Sequence, residues 1–413
     1  MSKNLMLASK EWASRAASAR FWNLGDLFRH LSNLPPEVEV PTRWDGLVVS
    51  VVGDDLRLTT TKGRAEGRDG ATFTNHGFNM FCQQVGVPAK FITGVCGNNP
   101  TLAAANLNQG ISVVGERRAD DVEEKDNDAA RNRESVVLLT SMGEVPSIRA
   151  SYSKSYTRVT DAEVCKELME HGDGWRNPPA RPNADDPRSR PATQDDVLEC
   201  CNAGLPVKVG DMIAPAGIYR DDRSMFAFLV DTTNKIDDGN GGPGLFSGIC
   251  VKNSETCTER LTVLTFLFEG VCGNHIIWNA SGIEVAGFKH RGDDILKKWR
   301  PCLREALTRY RQADIGQAAD MYAKAKAMML GADVDAVVKR LGDDKPLGLG
   351  KGVLRNAFAL AVQYEDTYNA APNSAWGMIH GLTRLSQQSP NTDARTKIDT
   401  GAGKIITRYV MAV

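Results

Sequence analysis

"GLFSGICVKNSETCTERLTVLTFLFEGVCGN", residues 244–274, decides how this chain folds. Its apolar, β-branched runs have strand length and are separated by polar residues. Upstream, LPVKVGDMIAPAGIYRDDRSMFAFLVDTTN (205–234) continues the train of strands, with Asp221-Asp222 and DDGNGGPG (237–244) as turns. From Asp293 onward the pattern changes to helices, broken by GDDKPLGLGKG (342–352). Strands that precede helices in each half predict an α+β protein: a mostly antiparallel sheet core with packed helices and a helical C-terminal part, rather than a wound parallel sheet.

The N-terminal half carries the same signals. WDGLVVSVVGDDLRLTTT (44–61) reads as a hairpin turning at Gly53-Asp54-Asp55. Trp12, Ala16 and Ala17 recur at helical spacing, 21–31 looks amphipathic, and Leu34-Pro35-Pro36 ends these patches. NHGFNMFCQQVGV (75–87) predicts a helix stopped near Gly86, and TLAAANLNQGI (101–111) a short helix ended by Gly110. SVVLLTSMGEVPSIRASYSKSYTRV (135–159) predicts two strands around Met142-Gly143-Glu144. Two segments read as charged loops, 116–134 and the Pro-, Asp- and Arg-rich 172–198. The expected organisation is an N-terminal helical segment (1–40), an α+β core (41–310) and a C-terminal helical region (311–413).

With 413 residues and a formal net charge of −1, the chain can bury a sizeable core and is not a uniformly basic nucleic-acid binder. No stretch reaches the roughly 18–20 continuous apolar residues of a membrane span, and MSKNLMLASKEWASR lacks a signal-peptide core. A cytoplasmic setting without membrane contact is expected. The nine cysteines are scattered in apolar surroundings, which predicts reduced thiols and no disulfide framework.

Several motifs invite chemistry. Cys250, Cys257, Cys272 and His275 have the types for a four-ligand zinc set, but structural zinc sites use close pairs at both ends. VCGNH (271–275) therefore reads as a turn, a reading that VCGNN (95–99) repeats without the histidine. GLGKG and GAGKII lack both the spacing and the hydroxyl of a phosphate loop. No metal and no cofactor is expected. A metal-dependent nuclease could be assembled from Glu269, His290 and Asp293 as catalytic residues.

Arg149 to Arg158, RASYSKSYTR, is more informative. As a strand it would place Tyr152, Lys154, Tyr156 and Arg158 on one face, aromatic alternating with cation. Tyrosines stack on bases and cations follow phosphates, the pattern of a single-strand binder. The bland alternative is a solvated edge strand. A second basic element runs from Lys289 to Arg311, with eight Lys or Arg against three acids. On a helix, Leu296, Trp299, Leu303, Leu307 and Tyr310 form an apolar stripe. Lys297, Arg300, Arg304 and Arg311 then share another face.

GLFSGICVKNSETCTERLTVLTFLFEGVCGNHIIW (244–278), the Lys289-His290-Arg291 step, IRASYSKSYTRV, IYRDDRSMFAFLV and SAWGMIHGLTRL together resemble the phage/plasmid-like proteins called domain of unknown function 932. The resemblance runs from the hairpin after Trp44 to the final helices and implies a mobile-element origin, without supplying an activity. In outline the chain is also similar to Rad-fifty-two-like single-strand annealing proteins, an architectural analogy. The leading expectation is a non-enzymatic protein that binds single-stranded DNA (or RNA) in recombination, annealing or replication, as a homo-oligomer. In it Arg149, Tyr152, Lys154, Tyr156, Arg158, Lys297, Arg300, Arg304 and Arg311 contact nucleic acid. The alternatives are the metal-dependent nuclease above and a structural or counter-defence interaction protein.

Overall fold

The computed structural model describes residues 17–67, 69–120, 135–177, 181–182, 186–202, 207–215, 217–236, 245–268, 275–276, 286–312, 315–388, 398 and 401–411. The fold is α+β. The largest sheet has the order β1 (Arg20–Phe21), β11 (Ile218–Arg220), β12 (Met225–Ile236), β13 (Leu245–Asn253), β14 (Leu261–Phe268) and β15 (His275–Ile276). A further strand, β16 (Ala286–Phe288), also pairs with β14. Every pairing in this sheet is antiparallel, as the strand train predicts.

A second sheet has the order β2 (Glu37–Arg43), β6 (Ser135–Ser141), β7 (Ser147–Tyr152) and β5 (Thr72–Phe73), with β5 parallel to β7. The predicted hairpin is β3 (Leu47–Val52) with β4 (Asp55–Thr60). Val52 pairs with Asp55, and Gly53 takes the positive φ that this tight turn requires. A small sheet joins β8 (Arg181–Pro182), β10 (Met212–Ala214) and β9 (Arg190–Pro191).

Strand alternation sets the core. On β13, Ile249 and Val251 face the helix Ile295–Gln312, whose Trp299, Leu303 and Leu307 are buried with them. Trp299, Leu303 and Leu307 of the apolar stripe make this contact and Leu296 packs against it, while the Tyr310 side chain lies outside the described residues. Each fully buried side chain contributes about 1.5–3 kcal/mol. The C-terminal helices surround Trp376 in a separate cluster with Tyr322, Leu341 and Leu354.

Some local readings need correction. Gly110 does not end a helix, because Pro100–Asp120 is one helix passing through it. A Cβ at Gly110 would lie 2.8 Å from the Val85 carbonyl oxygen, so this glycine permits close packing rather than capping. The same helix takes up residues 116–120 of the first charged segment; 121–134 lie outside the described residues. The second charged segment contributes β8, β9 and the first turn of the helix Gln194–Asn202. Its buried Asp186 accepts from Arg20 at 2.6 Å, and Arg190 pairs with Asp196 at 2.6 Å. In the N-terminal 1–40 stretch the helix Leu24–Ser32 is flanked by β1 and the start of β2, while Trp12 and Ala16 lie outside the described residues. Among the described residues, no helix is long and apolar enough to cross a membrane.

Candidate nucleic-acid interface

The two main sheets meet at a cleft of about 990 Å³. Its floor is one cross-strand row: Lys252 on β13 pairs with Thr262 on β14, which pairs with Gly287 on β16, and all three line the cleft. The walls come from Met80 and Gln84 on the helix Asn75–Gln84, from 151–156 at and beyond the end of β7, from the β13–β14 connection at Cys257–Arg260, and from Lys289–Arg291. Thr74 caps that helix by accepting from the Gly77 N–H at 3.0 Å, which fixes where Met80 and Gln84 stand.

The lining is basic. Lys252, Arg260, Lys289 and Arg291 face one acid, Glu259. Among the described residues none of these four cations has a carboxylate partner, and neither does exposed Lys154 between the lining residues Ser153 and Ser155. Lys252 is only 2% exposed, and its ammonium lies 5.1 Å from the centre of the Phe226 ring. Three polar atoms of lining residues also have no hydrogen-bond partner: Ser151 Oγ, Gln84 Oε1 and His290 Nε2.

Tyr156 stacks on His290 with ring centres 5.0 Å apart and leans on Tyr152 at 4.8 Å. The His290 Nδ1 lies 3.1 Å from the Thr157 carbonyl oxygen. A carbonyl only accepts, so Nδ1 carries the proton and Nε2 keeps its lone pair. Burial holds this imidazole below its usual pKa, against the pull of the Thr157 carbonyl, and it is neutral at neutral pH. The Thr157 N–H donates to the His290 carbonyl at 2.9 Å and its hydroxyl to the Gly292 carbonyl at 2.9 Å, so Thr157 and 290–292 are held side by side at the cleft wall.

The strand reading of 149–158 is overturned in part. β7 ends at Tyr152, and Lys154 and Ser155 form a turn, so the alternating face does not exist beyond that point. Arg149 is 5% exposed and donates to Glu37 at 2.5 Å and to Glu255 at 2.8 Å. Arg158 binds the same two carboxylates, reaching Glu255 at 2.8 Å. These guanidiniums bind protein carboxylates that lie within the fold, so neither is available to a phosphate. Tyr152 is buried and donates its hydroxyl to Glu39; burial first, and then that hydrogen bond, hold the phenol well above its usual pKa. It supports Tyr156 instead of offering a free face to a base.

The cluster extends inward. The Asp161 N–H donates to Glu255 at 2.6 Å, Asn253 donates to Asp161 at 2.9 Å, and Arg220 reaches Asp161 at 3.3 Å. Burial pushes the Glu255 carboxyl upward, but the Arg149 and Arg158 charges outweigh it and hold it well below the usual carboxylate range. Burial and the neighbouring Glu255 charge raise Asp161.

Among the described side chains of the helix Ile295–Gln312, no cation lines the cleft. Arg300 pairs with Glu167 at 2.5 Å, Arg304 lies 2.9 Å from His171, and Lys297 is exposed near Asp294 at 4.0 Å. The Arg311 side chain lies outside the described residues. Of the nuclease set, His290 is buried at the cleft, Asp293 is exposed beyond it, and Glu269 lies outside the described residues. Cys250 is buried on β13 and Cys257 is an exposed lining residue, while Cys272 and the turn 271–274 lie outside the described residues. Glu167, Glu170 and His171 bring ligand atoms within 4.8 Å, but Glu167 already accepts from Arg300 and His171 contacts Arg304.

The sequence reading missed Lys252, Arg260, Ser151 and Gln84. Only Lys252 left a signal: it breaks the buried strand FSGICVKN with a charge. No protein-family model, curated protein or solved structure matches the chain.

Proposed function

We propose that this chain is a single-strand nucleic-acid-binding protein of a phage or plasmid, acting in recombination, annealing or replication, and that the strand lies in the cleft between the two sheets. The observation that carries this reading is the set of cations around the cleft without carboxylate partners among the described residues, beside the Tyr156–His290 stack. Elsewhere Arg149, Arg158, Arg190, Arg220 and Arg300 are each matched to a carboxylate. Unmatched cations gathered in a concave site focus potential toward an anion. Tyr156, already stacked on His290, adds aromatic lining beside them, and aromatic side chains together with cations are the usual furnishings of a single-strand groove.

The test is fluorescence anisotropy with a labelled single-stranded oligonucleotide at several salt concentrations, with duplex as control. Arg260→Ala and Arg291→Ala should each weaken binding and flatten the salt slope by roughly 0.7–1 unit. Lys297→Ala should leave both unchanged, because Lys297 stands away from the cleft near Asp294. No binding at low salt, or equal slopes for all three variants, would remove the cleft from the argument.

A further inference from the structure

We infer that the floor of the cleft is a subsite for one terminal phosphate, that of a strand end or a mononucleotide, with Lys252 as its counter-charge. This rests on the nucleic-acid reading above and adds to it which part of the ligand enters deepest. The cleft's cations differ in depth: Arg260, Lys289 and Arg291 are exposed at its rim, whereas Lys252 is 2% exposed on its floor. A buried ammonium is unfavourable unless it is paired. Its one contact to a charge-accepting group among the described residues is the Phe226 ring at 5.1 Å, which offsets only part of that cost.

Ser151 is the second built element. It is fully buried, it lines the same cleft, and its hydroxyl has no partner. An ammonium with three donors and a free hydroxyl suit the acceptor oxygens of a phosphate. Gln84 Oε1, a second unpartnered atom of the lining, can only accept, so it suits an O–H or N–H next to that phosphate, such as a sugar hydroxyl. Its amide nitrogen is already fixed on the Ser151 carbonyl at 2.7 Å, which holds the oxygen in place.

Depth favours a terminal group over a backbone phosphate. A phosphodiester has chain leaving on both sides and carries a single charge; it is suited to the exposed rim. A monoester has chain on one side only and about −1.5 to −2 charge. It can reach an ammonium at the floor and there gains more from it.

The experiment uses the full chain and three oligonucleotides of one sequence, with a 5′-phosphate, a 3′-phosphate or neither, together with inorganic phosphate as the smallest probe. Wild type should bind at least one phosphorylated form about tenfold or more tightly than the unphosphorylated one, as for one charge-assisted hydrogen bond. Lys252→Met should abolish the preference, and Ser151→Ala should reduce it. Inorganic phosphate should raise the melting temperature of wild type but not of Lys252→Met. Without ligand, Lys252→Met should melt no lower than wild type, because an apolar isostere replaces an unpaired buried charge.

Equal affinity for all three oligonucleotides overturns the subsite and leaves the cleft reading standing. Failure to bind any oligonucleotide, with phosphate still stabilising wild type alone, overturns the cleft reading and leaves a small-anion site. A large fall in melting temperature for Lys252→Met, with phosphate stabilising neither protein, makes the lysine structural and overturns the inference.

Discussion

Replacing Arg149 by alanine is expected to lower folding stability by about 3–5 kcal/mol, the cost of breaking a buried ion pair from one side. Arg149 joins the two sheets: it sits on β7 and donates to Glu37 on β2 and to Glu255 just beyond β13. Its removal leaves two largely buried carboxylates sharing Arg158, and Glu255 is only 3% exposed. Urea unfolding of wild type and Arg149→Ala measures the difference directly. Lys297→Ala, at an exposed pair, should stay within about 0.5 kcal/mol of wild type. If Arg149→Ala unfolded like wild type but lost salt-sensitive DNA binding, the cation would belong to the ligand after all.

Acid acts on the same cluster with a definite sign. Glu255 is held below its ordinary value, so its contribution is complete above that value and is lost as the pH falls through the lowered one. Asp161 is raised, so its contribution is present below its ordinary value and declines as the pH rises through the raised one. The two carboxyls therefore answer a change of pH with opposite sign.

The fold was readable where local pattern governs. The strands of 205–268, the β3–β4 hairpin and the stripe through Trp299, Leu303 and Leu307 follow from period and turn chemistry. The site was readable only in part, because partners are chosen by tertiary contact. Arg149 meets Glu37 across 112 positions and Glu255 across 106, and no local rule assigns such pairs. The alternation through Tyr152, Lys154 and Tyr156 looked like a strand face, but the Ser153-Lys154-Ser155 stretch turns the chain there. Tyr156 is brought to His290 by that turn, so the aromatic element lies at the cleft for a different reason from the one the period suggested.

Gly77→Ala is expected to cost about 1–3 kcal/mol or more and to impair ligand binding along with stability. Gly77 lies in the first turn of the helix Asn75–Gln84, where a Cβ would overlap the Ile148 carbonyl oxygen and press on the Arg149 carbonyl carbon at 3.1 Å. Backbone of a paired strand cannot swing aside as a flexible side chain can, so the helix must move away from β7. That helix carries Met80 and Gln84 into the cleft, and Gln84 donates to the Ser151 carbonyl at the end of β7. A small outward shift therefore breaks the Gln84 contact and widens the wall opposite the basic rim. Thermal unfolding should show the loss of stability, and anisotropy below the melting temperature should show weaker binding with an unchanged salt slope. The slope is the informative quantity: Arg260, Lys289 and Arg291 are still present in the variant, so a lost wall lowers affinity without removing a phosphate contact. A variant that melts lower yet binds with wild-type affinity would mean that the helix Asn75–Gln84 is not part of the binding surface.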